Sequence, residues 1–404
     1  MKRILRSMAA ATLVATSLAG AAHAEYSDNA IRIVVMNDQS GAYADQGGEG
    51  SVTAARMAVE DWGGKVNGVP VEIISVDHQL KVDVAMTNAQ QLLNEKNVDA
   101  FMDMSSSAVS LAIQELGKQH NKVTIHVGTA HADLYGKACS PTGALWLYDT
   151  YALAKGLSKA VLDDKHKKWF ILAVDYAFGH AMQQEIGDEV QKLGGEVTGS
   201  ARHPTGTTDY ASYLLQAQGA DVLAVLSAGQ DTSNAIKQAV EFGIVQGDVK
   251  IAAPIFTILN VKSIGNEFSK GTTFLVGNYW DQDDESRAFA KRYAEKMGRA
   301  PSHIQSAVYS ATNHYLKALE AAGTDDGPTV MAKMKEIPVN DFMTKDAKLR
   351  EDGRLMRDLV LVEVKDPSEV KGEWDLLKVT GHVKAEDMIR PLEEGGCYFI
   401  EAKN

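Results

Sequence analysis

Five short loops hold the residues best suited to gripping a small molecule, and each follows an apolar or β-branched run. They are Gln39-Ser40-Gly41-Ala42-Tyr43, Ser105-Ser106-Ser107, Gly128-Thr129-Ala130, Tyr176-Ala177-Phe178-Gly179 and Ser227-Ala228-Gly229-Gln230-Asp231. Small hydroxyl residues ahead of a helix expose backbone N–H groups, and the helix dipole adds positive potential there. Ser105, Ser106 and Ser107 with Gly128, Thr129 and Ala130 are thus equipped to hold a carboxylate without any Lys or Arg. Tyr43, Tyr176 and Phe178 offer aromatic cover for an apolar ligand body. Helix caps and core packing would use the same residue types, one loop at a time. Five such loops make the joint coincidence less plausible.

Other chemistries fit poorly. There is no G-x-x-x-x-G-K-[ST] phosphate loop, and Gly47-Gly48-Glu49-Gly50 lacks dinucleotide spacing, so a tight turn and close helix packing account for it better. No G-x-S-x-G elbow occurs. His126 and His131 lack metal-ligand spacing, which leaves no metal site, and Asp281, Asp283, Asp284 and Glu285 read as a helix start rather than a calcium loop. Ser105 with His131 is the best hydrolase pair available, and it lacks an acid partner, so no catalytic residue is assigned.

The elements that position these loops alternate regularly. Strand signals lie at 31–36, 71–76, 98–102 and 122–126, separated by helical patterns, and the beat restarts after Tyr148 with strands at 169–174, 196–200, 222–226, 250–253 and 273–276. Helices follow at 284–297, 302–322 and 329–335, then a strand at 359–364. Strand–helix–strand units predict parallel sheets wrapped by helices, and two blocks predict two doubly wound α/β lobes. The loops then fall at strand C-terminal ends, the edge where open α/β sheets bind ligands.

The chain opens with Lys2, Arg3 and Arg6, an apolar run from Met8 to Ala22, and Ala22-His23-Ala24, the pattern of a secretory signal peptide over residues 1–24. Ala21 stands where a lipoprotein would need Cys, so the product is expected free in a periplasm. A net charge of −12, or −15 without the three basic leader residues, disfavours nucleic acid and anionic membranes. No second apolar stretch is long enough for membrane insertion. In an oxidising compartment Cys139 and Cys397 are expected to pair, two separate buried thiols being the alternative.

At these loops, together with Gly128-Thr129-Ala130-His131-Ala132-Asp133-Leu134, the chain resembles the leucine/isoleucine/valine-binding protein family of type I periplasmic binding proteins, over essentially its whole mature length. The resemblance implies two α/β lobes joined by three hinge crossings, here 25–147 plus 278–355 and 148–277 plus 356–404. It further implies a monomeric receptor without cofactor that hands a small ligand to the membrane permease of an ABC importer. Phe178 falls where an aromatic of the second lobe covers the ligand, and Gln230 where another aromatic is common. Tyr151, Asp231 and Phe256 complete the candidate ligand set. The amino-acid binders place a Glu after a Gly-Pro step to meet the ligand ammonium, whereas Ala253-Pro254 is followed here by Ile255 and Phe256. A buried ammonium without a partner is costly, so a carboxylate with a hydrophobic or aromatic body is expected unless Asp149 or Asp231 substitutes. The segment from Asp133 to Pro141 looks like a branch of the family associated with aromatic and other carboxylic acids.

Overall fold

A computed structural model describes residues 26–401, so the leader lies outside the described residues. Two twisted sheets organise the chain. The first has six strands in the order Lys65–Val66, Val69–Asp77, Ile31–Asn37, Ala100–Asp103, Val123–His126 and Gly143–Leu145. All its joins are parallel except the short Lys65–Val66 hairpin. Alternation along a strand sends successive side chains to opposite faces. Ile31, Ile33 and Val35 accordingly join one apolar cluster, while Val34 and Met36 join another on the far face.

The second sheet has seven strands. Five are parallel neighbours, Thr273–Val276, Lys250–Ala252, Val222–Leu226, Lys168–Val174 and Glu196–His203. The parallel sheet expected for this lobe is extended at one edge by two antiparallel strands. Leu359–Val364 and Leu377–Val383 add on antiparallel, because the chain returns from the first lobe without a crossover helix and closes with a hairpin-like pair. Both sheets reverse strand order beside their first strand, between Ile31–Asn37 and Ala100–Asp103 and between Lys168–Val174 and Val222–Leu226. Such switch points open a crevice at the strand C-terminal ends.

Local chemistry explains the principal helices. Ser302 and Gln305 form a capping box ahead of His303–Ala322, which ends at the left-handed Gly323. Asp283 caps Asp284–Met297 by accepting from Ser286 N–H, so the acidic run is a helix start. Gly50 gives the close packing expected of its glycine-rich stretch, since a Cβ there would lie 2.3 Å from the Tyr293 hydroxyl.

Cys139 and Cys397 form a disulfide across 258 residues of chain. The bond carries the C-terminal tail back to the first lobe, where both sulfurs are buried with Ile400. Non-reducing peptide mapping of secreted protein should return the Cys139 and Cys397 peptides joined. Two freely alkylated thiols would contradict the pairing.

Candidate functional site

The loops after the switch-point strands meet in one small interlobe cavity. The first lobe lines it with Gln46, Ser105, Ser107, Gly128, Thr129 and Ala130, the second with Tyr176, Phe178, Ala228 and Ile255. About 230 Å³ of space between the walls is free of protein atoms, part of it open to solvent.

A buried carboxylate that sequence reasoning did not single out holds the first-lobe wall together. Asp103, fully buried at the end of Ala100–Asp103, accepts from Asn37 Nδ2 at 2.8 Å and from Gly128 N–H at 2.9 Å. Burial raises its pKa. Asp103 and Met104 both take positive φ, 80° and 45°, unusual for residues with side chains. This kink turns the chain from the strand into the Ser-rich loop. Strain of this kind collects at functional sites. Asp38 shapes the neighbouring loop, accepting from Gly41 N–H at 2.9 Å and Tyr43 N–H at 2.8 Å. The only hint of Asp103 in the sequence is an acid closing an otherwise apolar run.

The cavity's first-lobe wall offers several uncommitted donors. Ser107 opens the helix Ser107–Gln119, and Ser106 sits at its cap position with an extended backbone and no capping bond from its side chain. Ser107 Oγ and Thr129 Oγ1 share one hydrogen at 3.2 Å, leaving the other hydroxyl hydrogen available. The backbone N–H groups of Thr129 and Ala130 meet no protein acceptor among the described residues. Gly128 N–H, by contrast, is committed to Asp103.

The remaining sequence candidates lie elsewhere. Tyr43 is buried where the lobes touch, and burial together with Tyr176 and Asp231 holds its phenol well above the usual range. Gln230 exposes its side chain and contributes only its N–H, to Ala42 O at 2.8 Å. Asp231 is buried, accepts from Gly206 N–H at 2.9 Å, and is pushed up to about 6 by burial. Phe256 packs edge-on to Phe274 in the second-lobe core with ring centroids 5.3 Å apart, while its neighbour Ile255 faces the cavity. Tyr151 lies under the Arg390 guanidinium, 4.7 Å from its ring centroid. Asp149 is bound to Arg354 Nε at 2.7 Å with both side chains fully buried. Gln46 and Ala228 line the cavity although sequence reasoning did not assign them.

The sequence pattern described as periplasmic binding protein matches residues 30–370. A periplasmic binding protein from Burkholderia mallei is 40% identical, with TM-score 0.89, over 92% of this chain and 99% of its own. A branched chain amino acid ABC transporter periplasmic ligand-binding protein from Burkholderia xenovorans is 38% identical, with TM-score 0.81, over 91% and 99%. A solute-binding protein of an R. palustris ABC transporter, solved in complex with benzoate, has the same fold at 17% identity, with TM-score 0.81, over 91% and 99%. No curated protein sequence matches the chain.

Proposed function

The chain belongs to the periplasmic binding protein family, the solute-binding proteins of ABC transporters, and from that premise we propose that its cavity captures a small carboxylate with an aromatic or aliphatic body and no α-ammonium. The donor-rich first-lobe wall carries this reading. Available hydroxyl and amide hydrogens belong to residues lining one cavity at the N-terminus of a 13-residue helix, and no acidic side chain lines that cavity. Carboxylate oxygens are acceptors only, so they suit such a wall. Phe178, Tyr176 and Ile255 supply the apolar cover.

Neither alternative ammonium partner lines the cavity, and Asp149 is already neutralised by Arg354. The benzoate complex of the R. palustris protein lends the aromatic-acid reading support by analogy. The description of the B. xenovorans relative favours a second reading, a branched-chain amino acid. In calorimetry, benzoate or a branched aliphatic acid should bind at least tenfold tighter than leucine, valine or phenylalanine, a difference of about 1.4 kcal/mol. The amide of the best acid should bind more weakly still. Tight leucine binding, or equal affinity for acid and amide, would overturn the assignment.

The two moving bodies in this reading are 25–147 plus 278–355 and 148–277 plus 356–404, the disulfide tying the extreme tail to the first. Closure brings both walls onto the ligand, which is then passed to a permease. A hydrolytic role fits badly. The histidine beside Ser105 is His78, not His131, which lines a separate groove. His78 Nδ1 accepts from Leu80 N–H at 3.0 Å, so in the neutral ring Nε2 carries the proton and cannot take another from serine.

A further inference from the structure

His78 is fully buried just past the Val69–Asp77 strand and stands behind the cavity rather than in its lining. It is held in place by an unusual turn. Gln79 and Leu80 both have positive φ, 52° and 56°, and this turn brings Leu80 N–H back onto His78 Nδ1 at 3.0 Å. The other ring nitrogen, Nε2, lies 3.4 Å from Ser105 Oγ. The same oxygen accepts from Asp38 N–H at 2.9 Å.

We propose that His78 is a specificity-determining positioning residue: it fixes the Ser105 hydroxyl as a donor toward the cavity, so that this hydroxyl favours a carboxylate oxygen over an amide NH₂ or an ammonium. A serine hydroxyl has one hydrogen and two lone pairs. The Asp38 amide occupies one lone pair. The His78 Nε2–H, obliged to be a donor because Nδ1 is already accepting, occupies the second. The hydroxyl hydrogen is the only capacity left, and Ser105 lines the cavity. Without the histidine, the freed lone pair would be open to a ligand N–H, and Ser105 would lose its donor-only character.

The surroundings keep this arrangement in place at neutral pH. Burial lowers the His78 pKa to about 4, against the opposing pull of the Asp77 carboxylate, so the ring stays neutral and retains one acceptor and one donor. Asp77 is itself occupied by Ser40 Oγ at 2.6 Å and Gln39 N–H at 3.0 Å. The inference rests on the carboxylate reading of the cavity and adds the residue that enforces it.

The test compares wild type, His78→Phe and His78→Gln, with benzoate and benzamide as probes in calorimetry. Gln keeps a side-chain N–H near the Nε2 position, and Phe keeps the bulk alone. The Phe variant should lose at least tenfold of the acid-over-amide preference, and the Gln variant should recover most of it. An unchanged preference in folded His78→Phe would overturn the proposal. Long-range ¹H–¹⁵N spectra of ligand-free wild type decide the tautomer independently. A neutral ring protonated on Nε2 is expected near neutral pH, and protonation on Nδ1 would overturn the proposal whatever binds. Failure of both acid and amide to bind any version would count against the carboxylate reading, with the tautomer still deciding the role of His78.

Discussion

Gly229→Ala is expected to hold the two lobes apart and weaken binding of every ligand roughly 30-fold or more, about 2 kcal/mol. Gly229 begins the helix Gly229–Glu241 with φ of 54°. Its N–H reaches across the cleft to Gln46 Oε1 at 3.2 Å, and the next N–H, of Gln230, reaches Ala42 O at 2.8 Å. Asn260 Nδ2 fixes Gly229 from behind by donating to its carbonyl at 2.8 Å. The unsatisfied amides that begin every helix therefore meet acceptors on the opposite lobe. A Cβ at position 229 would stand 2.1 Å from Ala42 O and 2.9 Å from Tyr43 Cδ1. That overlap exists only when the lobes are together, so it acts against the closed form selectively, beyond the backbone strain present in both. The loss should be the same for all ligands, unlike that of a cavity-wall substitution. Calorimetry paired with small-angle scattering at saturating benzoate checks it. Unchanged affinity with wild-type compaction would show that the contact does not govern closure.

Arg354→Met should cost about 3–5 kcal/mol of stability, the usual penalty for leaving one member of a buried ion pair alone. Arg354 and Asp149 are both fully buried and joined at 2.7 Å. Arg354 also donates to Leu355 O at 2.7 Å, and Asp149 accepts from Ala152 N–H at 2.9 Å and from the Tyr135 hydroxyl at 3.2 Å. The pair joins the segment entering the second lobe to the one returning from the first, so its loss is felt in both. Scanning calorimetry should show the transition falling by about 5 °C. Restoring most of that loss with the double replacement Arg354→Met, Asp149→Leu would identify the stranded carboxylate as the cause. A single variant as stable as wild type would contradict the account.

Much of this architecture is legible in the sequence because buried strands and amphipathic helices leave periodic marks. Ile31–Asn37, Val222–Leu226 and His303–Ala322 are read directly from such marks. Gly143–Leu145 is too short to show a period, and a strand's residue pattern reads alike in either direction, which hides the antiparallel pairing of Leu359–Val364. The cavity residues Ser105, Thr129 and Phe178 are legible because polar and aromatic residues at strand ends are placed by the sheet itself. Side-chain direction within the loops is not. Ile255 faces the cavity while Phe256 turns into the core, and Gln230 turns outward on a helical first turn while Ala228 faces in. Tyr151 is covered by Arg390 from the distant tail, a contact that local pattern cannot foretell. Asp103 and His78 are each held by a backbone N–H, of Gly128 and of Leu80, and meet side chains distant in sequence, Asn37 and Ser105, and such partners leave no mark on residue spacing.

The tightness of the cleft bears on the timing of delivery. The small cavity lies between two walls that are buried apart from the half-buried Tyr176, so a captured solute leaves most directly when the lobes part. Its residence time is therefore set by how often the lobes part. Solutes that grip the first lobe with very different strength would share nearly the same escape rate, provided they leave the interlobe contacts alone. The clock for handover would lie in the Ala42–Gln230 and Gln46–Gly229 contacts rather than in the carboxylate wall.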